Sequence, residues 1–175
     1  MFTKWWKNCV KGMVAFSGSP NKAFNLPIKN VSNATYYFSG IRYPYTTTTT
    51  FQLTATSNGI HVGTGNTAAT EDDYALESPV TSGLAGTVTI NKDMDANGNP
   101  YITYNLVLSN STSADIVVKE IGLYESCSCG NTVGATSSSE RNFLVDRTVL
   151  DTPVTVPANG NAAIYYTLKT TYTTS

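Results

Sequence analysis

The 175-residue chain is short of the side chains that most enzymes work with. It has a single histidine, His61, and three scattered cysteines, Cys9, Cys127 and Cys129. That leaves little for histidine-based catalysis or a multi-cysteine metal cluster, since a structural zinc site wants four ligands. Cys127 and Cys129 stand too close for an unstrained disulfide, and an odd count of thiols points to a reducing origin. Charged residues make up only 13% of the chain. No apolar run approaches the roughly 20 residues needed to cross a bilayer. The first apolar stretch is interrupted by Lys7 and Lys11, so no secretory signal is expected.

Acids are missing altogether before Glu71. Lys4, Lys7, Lys11, Lys22, Lys29 and Arg42 give that part a charge of +6, and the remainder, with 12 acids and five cations, carries −7. Six cations spread over that length are too dilute for a phosphate-binding patch, so no nucleic acid is expected as a partner. Opposite charge on two parts of one chain suits a head-to-tail contact between copies.

What the chain does have is 41% hydrophobic residues, 13 Gly, 7 Pro, and an excess of Thr, Tyr, Val and Asn. This is the composition of one domain made of short strands and turns. Two parts are expected: an N-terminal helical arm, 1–19, and a β domain, 20–175. In the arm Trp5, Cys9, Met13 and Phe16 recur at helical spacing, with Lys4, Lys7 and Lys11 on the other side. Ser17-Gly-Ser-Pro20 stops the pattern. Such a helix could dock in a partner's groove, lie on a membrane surface, or pack on its own body. Groove docking is the expectation, with Trp5, Trp6, Met13, Phe16, Lys4, Lys7 and Lys11 as the interaction residues and no membrane partner.

Further along, Tyr36-Tyr37-Phe38 reads as a short strand. Phe51–Thr56 alternates and is expected to form a hairpin with Ile60–Gly63 across the turn Ser57-Asn58-Gly59. One short internal helix is expected between Thr67 and Ser78, with Thr70 as cap and Asp73 at capping-box distance. Strands follow at 86–91 and 101–108 around Asn97-Gly98, then at 116–124, 143–150, 154–156 and 163–169. A loose Ser/Cys/Gly loop is expected from about 126 to 139. Strands at this spacing without intervening helices imply an all-β fold, an antiparallel β-sandwich of jelly-roll or Ig-like type.

Each chemical constellation has a plainer reading. Asp93-Met-Asp95-Ala-Asn97-Gly98 imitates the start of a calcium loop, but Tyr104 stands where the bidentate Glu belongs. A hairpin turn explains it. Gly63-Thr-Gly65 could cradle a phosphate at a helix start, yet lacks the third Gly and the Lys. Glu71, Asp72, Asp73 and Glu77 offer carboxylate pairs of the sort glycosidases use, but acids also simply favour a helix N-terminus. No catalytic, metal or cofactor residues are expected.

Three stretches carry a resemblance: Val62-Gly-Thr-Gly-Asn-Thr-Ala-Ala-Thr-Glu-Asp-Asp-Tyr-Ala-Leu-Glu-Ser-Pro79, Val118-Lys-Glu-Ile-Gly-Leu-Tyr-Glu125 and Arg147-Thr-Val-Leu-Asp-Thr-Pro-Val-Thr-Val-Pro-Ala-Asn-Gly160. Over roughly residues 60–170 the pattern resembles small virion structural proteins of tailed bacteriophages, including tail-fibre and baseplate domains. The resemblance implies a non-enzymatic particle component at the neck or tail (connector, collar or tail attachment), made in the host cytoplasm and located in the virion. Its partners would be copies of itself and other virion proteins. Capsid decoration and a carbohydrate-binding module, gripping glycan with exposed Tyr on one sheet face, are the alternatives.

Overall fold

A computed structural model of the chain describes residues 2, 23–39, 51–53, 58–132 and 139–169. The alternating and β-branched segments form eight strands: β1 (Ala23–Lys29), β2 (Thr35–Ser39), β3 (Gly59–Gly63), β4 (Leu84–Met94), β5 (Pro100–Asn110), β6 (Ile116–Gly130), β7 (Ser139–Val156) and β8 (Asn161–Lys169). The described residues are all-β and lie in two antiparallel sheets. In the larger, β6 is the hub. One of its edges pairs with β7, and the other takes β3 opposite 120–124 and β2 opposite 129–130, with β1 outside β2. The smaller sheet runs β4-β5-β8.

The β4–β5 hairpin turns where Asn97-Gly98 predicts it. Gly98 adopts φ +77°, which a residue without Cβ enters at no steric cost. Asp95 holds this turn together. Its Oδ1 accepts the N–H groups of Asn97 (2.8 Å) and Asn99 (2.9 Å), and Lys169 at the end of β8 reaches its Oδ2.

Both sheets share one apolar core. Leu106 and Leu108 of β5 and Ile164 of β8 meet Ile60, Val62, Val118, Ile121, Leu123, Phe143 and Val156 of the larger sheet. Each such side chain is worth roughly 1.5–3 kcal/mol when removed from water. The sheets are also joined by polar contact: the Tyr166 hydroxyl donates to the buried carboxylate of Asp146 at 2.5 Å.

Four expectations need correction or placing. The internal helix is absent, and 67–78 is a loop with one turn at 71–72. Three successive N–H groups, of Leu76, Glu77 and Ser78, donate to side chains of β6, where a helix would have sent them to carbonyls four residues back. Residues 126–130 are not loop but the end of β6, held between β7 and β2. Ile60 meets Phe51 only in an isolated parallel bridge, and the antiparallel partner of β3 is β6, where both of its faces become buried. The arm residues Lys4, Trp5, Trp6, Lys7, Lys11, Met13 and Phe16 lie outside the described residues. Phe2 is described: it bridges Asp146 and packs, half-buried, on the chain's own core.

Candidate functional site

The expected hydrophobic logic of a two-sheet protein leaves the outer face of the larger sheet to water. Here its centre is buried on both sides, because residues 120–124 of β6 and 143–147 of β7 are covered on the outer face by the loop between β3 and β4. The loop leaves and returns through a narrow neck. Thr64 N–H donates to Ser78 O (2.8 Å), Val80 N–H to Val62 O (2.9 Å), and Gly63 bridges Pro79. Between these points residues 64–78 form a strap across the sheet.

The strap is held by charge. Glu120, on β6 and 0% exposed, receives four donors. Its Oε1 accepts from Gly65 N–H (3.2 Å) and Ser78 N–H (2.8 Å), and its Oε2 from Glu77 N–H (3.1 Å) and Arg147 Nε (2.8 Å). Arg147, on β7, then spreads its planar fork over the strap. Nη1 donates to Asp73 Oδ2 (2.8 Å), and Nη2 to Thr67 O (3.2 Å) and Glu77 Oε2 (3.4 Å). A guanidinium suits this place, since its donors leave in fixed directions and it keeps its charge when buried.

Two local features make the arrangement possible. The first is a bulge at Val145: Leu123 pairs with Asp146 while Tyr124 pairs with Leu144. Leu144 and Arg147 are three residues apart, so strict alternation would place them on opposite faces. The extra residue restores both to the strap side, where Leu144 packs with Leu76 and Tyr124. The second is glycine. A Cβ at Gly63 would stand 2.3 Å from Glu120 Oε1, and one at Gly122 would stand 2.9 Å from Leu76 Cδ2. At Gly63 the Ser78 carbonyl lies 2.7 Å from the same point, so the neck of the strap could not close over a side chain there.

The electrostatics follow from these contacts. Burial pushes the Asp73 carboxyl up, but hydrogen bonds from Arg147 and Thr70 outweigh it and hold the group below its ordinary value. Glu77 is also held low, chiefly by the hydroxyl and N–H of Thr67. Burial pushes the Tyr124 hydroxyl up to about 12, although it accepts the Leu76 N–H at 2.7 Å. The His61 ring is buried against that of Tyr124, with centroids 4.4 Å apart.

Of the acids singled out in the sequence, Asp73 and Glu77 therefore converge on Arg147, while Glu71 and Asp72 border an open cleft of about 230 Å³ and Asp72 also borders a second of about 290 Å³. Asp73 accepts the Thr70 N–H, which is half of a capping box, but the Thr70 hydroxyl donates to Asp73 Oδ1 and the Asp73 N–H goes to the Thr70 carbonyl (3.3 Å), closing a single turn. Of Gly63-Thr-Gly65, Gly65 N–H donates to the carboxylate of the chain's own Glu120, while Thr64 N–H goes to Ser78 O. Sequence reasoning passed over Glu120 and Arg147, whose only signal was a charge within an otherwise apolar strand pattern. Among the described residues no group of three His, Cys, Asp or Glu could hold a metal ion. Glu120 is sealed from water with both oxygens filled, so the cluster's chemical capacity is that of a clamp.

All three stretches that carry the phage resemblance meet in this clamp: the strap comes from the first, Glu120 from the second and Arg147 from the third. Neither a family model nor a curated protein nor a solved structure matches the chain.

Proposed function

We propose that the chain is a non-enzymatic structural component of a tailed-phage virion, placed at the neck or tail, whose β domain is a two-layer sandwich and whose residues 1–19 join it to a neighbour. The observation that carries this reading is the convergence just described. The motifs of the resemblance are used to build a charge-locked wall, held by three of their acids, Asp73, Glu77 and Glu120, and approached closely at Gly63, Gly65 and Gly122. A domain of this kind supplies shape and contact surfaces.

The test is made on particles. Purified virions from a culture producing the protein are analysed by quantitative mass spectrometry, with copy number referred to the major capsid protein. A fixed stoichiometry supports the reading, and absence from the particle ends it. Deleting residues 1–18 is expected to leave a folded, soluble chain that no longer enters the particle. Normal incorporation of the truncated chain would remove the role proposed for the arm.

Glycan binding is favoured by one observation, Tyr165 standing 72% exposed on the outer face of β8. Retention of the purified chain on a glycan array, lost in Tyr165→Ala, would establish that reading instead.

A further inference from the structure

On the strap side of the molecule the polar groups are spent on one another. The outward face of the smaller sheet is the opposite case. Its registers set Thr89, Asn105 and Tyr165 in one row across β4, β5 and β8, because directly opposed residues of antiparallel strands share a face. The row on one side ends in Thr103 and Thr167, and the row on the other is centred on Val107. From the row of Ala85 to the row of Asn91 none of the three strands places a charge on this face. Six residues of rise and two strand spacings make the patch about 20 Å long and about 10 Å wide.

The fold leaves the chemistry of this patch unused. Tyr165 is 72% and Val107 41% exposed, so a ring and an isopropyl group stand in water. Asn105 is half-buried at the centre, and its Oδ1 is covered while no described residue donates to it. Folded proteins rarely strand an acceptor in this way, and function is one of the few reasons they do. A half-turn of the amide exchanges oxygen and nitrogen, so the group can offer a ligand an acceptor as readily as a donor. In the next row the hydroxyls of Thr103 and Thr167 meet at 3.0 Å in an exposed position. One of the two keeps its hydrogen for a further acceptor.

These groups select the ligand. With no cation the patch has nothing to hold a phosphate or a carboxylate. Lys169 stands one row beyond it and is engaged by Asp95. A protein partner would want an apolar centre, and here the centre is an amide. What fits is an uncharged molecule dense in hydroxyls that also has an apolar face for a tyrosine ring. A sugar ring has both, with C–H groups on its face and hydroxyls around its rim.

We propose that the outward face of β4-β5-β8 binds neutral glycans, with Tyr165 stacking on a sugar ring and Asn105, Thr103 and Thr167 hydrogen-bonding its hydroxyls. The inference rests on the glycan reading above, to which it gives a site and a ligand class, and is independent of the virion reading. The purified full chain is applied to immobilised neutral oligosaccharides of glucose, galactose, mannose and N-acetylglucosamine, with sialylated and uronic-acid glycans alongside. Neutral glycans should retain it, and retention should not change with salt, since no charge takes part. Tyr165→Ala should weaken binding about tenfold and Asn105→Ala about three- to tenfold. Tyr165→Phe should keep most of the affinity, and Met94→Ala, at another exposed apolar side chain at the far end of β4, all of it. Melting temperatures equal to that of the wild type separate loss of the site from loss of the fold. As a second measurement, amide NMR shifts on adding a retained oligosaccharide should centre on Asn105 and Tyr165. Retention that survives both alanine variants, shifts centred elsewhere, or a preference for acidic glycans would overturn this site and leave glycan binding standing. No retention on any glycan would end both.

Discussion

Arg147 donates its Nε–H to Glu120 Oε2 at 2.8 Å, and both side chains are withdrawn from water. Neither residue is tolerable there without the other. The cost of burying each ion is offset by the pairing and by the strap's N–H groups, so removing one partner leaves a charge uncompensated. Arg147→Met is therefore expected to lower unfolding free energy by about 3–5 kcal/mol. The double change Glu120→Met with Arg147→Met should cost less than the sum of the singles. Urea unfolding of the four proteins of the cycle measures this, and strict additivity would show that the pair is not coupled.

The acid side of the stability profile is set by carboxylates held low. Lys169 first, then Asn99, hold Asp95 well below its ordinary value, and Asp73 and Glu77 are shifted the same way. A depressed folded-state value means that the unfolded chain binds more protons just below the ordinary values of 3.8 and 4.5. Their contribution is complete above those values and is lost as pH falls through the folded-state ones. Melting temperature should thus be flat from neutral pH down to the ordinary carboxylate range and drop below it. In Lys169→Ala the drop should begin at the same pH but be shallower, because the unfolded-state value sets the onset and Asp95 is then less depressed.

Glycine substitutions should separate by what a Cβ meets. Gly63→Ala drives a methyl onto Glu120 and onto the Ser78 carbonyl (2.7 Å), a backbone atom that cannot step aside. A loss of about 2–3 kcal/mol is expected, on the scale of overpacking. Gly98→Ala meets nothing within 4 Å and bears only the strain of φ +77°, roughly 1 kcal/mol. Comparable melting temperatures for the two variants would contradict this account of the strap.

Cys129 is buried in the core, and burial pushes its thiol up to about 12 despite the neighbouring Arg141 charge. The thiolate is the reactive form. In a chain with Cys9 and Cys127 replaced by Ser, a thiol reagent at neutral pH should label nothing until the protein unfolds. Rapid stoichiometric labelling of the folded chain would show that β6 opens at its end.

Much of the sheet framework was legible in the sequence, because alternation and turn chemistry are local. Asn97-Gly98 and the apolar rows on either side of it define the β4–β5 hairpin without outside help. The strap was not legible, for a physical reason. Asp73 accepts the Thr70 N–H at a helix start and around a lone turn alike, and what decides between them is Tyr124 and Glu120, more than forty residues away. The clamp was hidden by parity as well. Only the bulge at Val145 brings Arg147 to the face that Glu120 occupies, and an extra residue in a strand leaves no mark on its composition.

The strap also orders events in time. β6 and β7 are consecutive and can pair early, whereas the contacts of Gly65 with Glu120 and of Thr67 with Arg147 close separations of 55 and 80 residues. Closing long loops is slow, so the strap is the natural last step of folding. Until it arrives the ion pair faces water on one side, and the desolvation of Glu120 falls after the main barrier. Glu120→Gln should accordingly speed unfolding and leave the refolding rate nearly unchanged, a φ-value near zero in stopped-flow measurements. The clamp then governs how long the native state lasts more than how quickly it is reached.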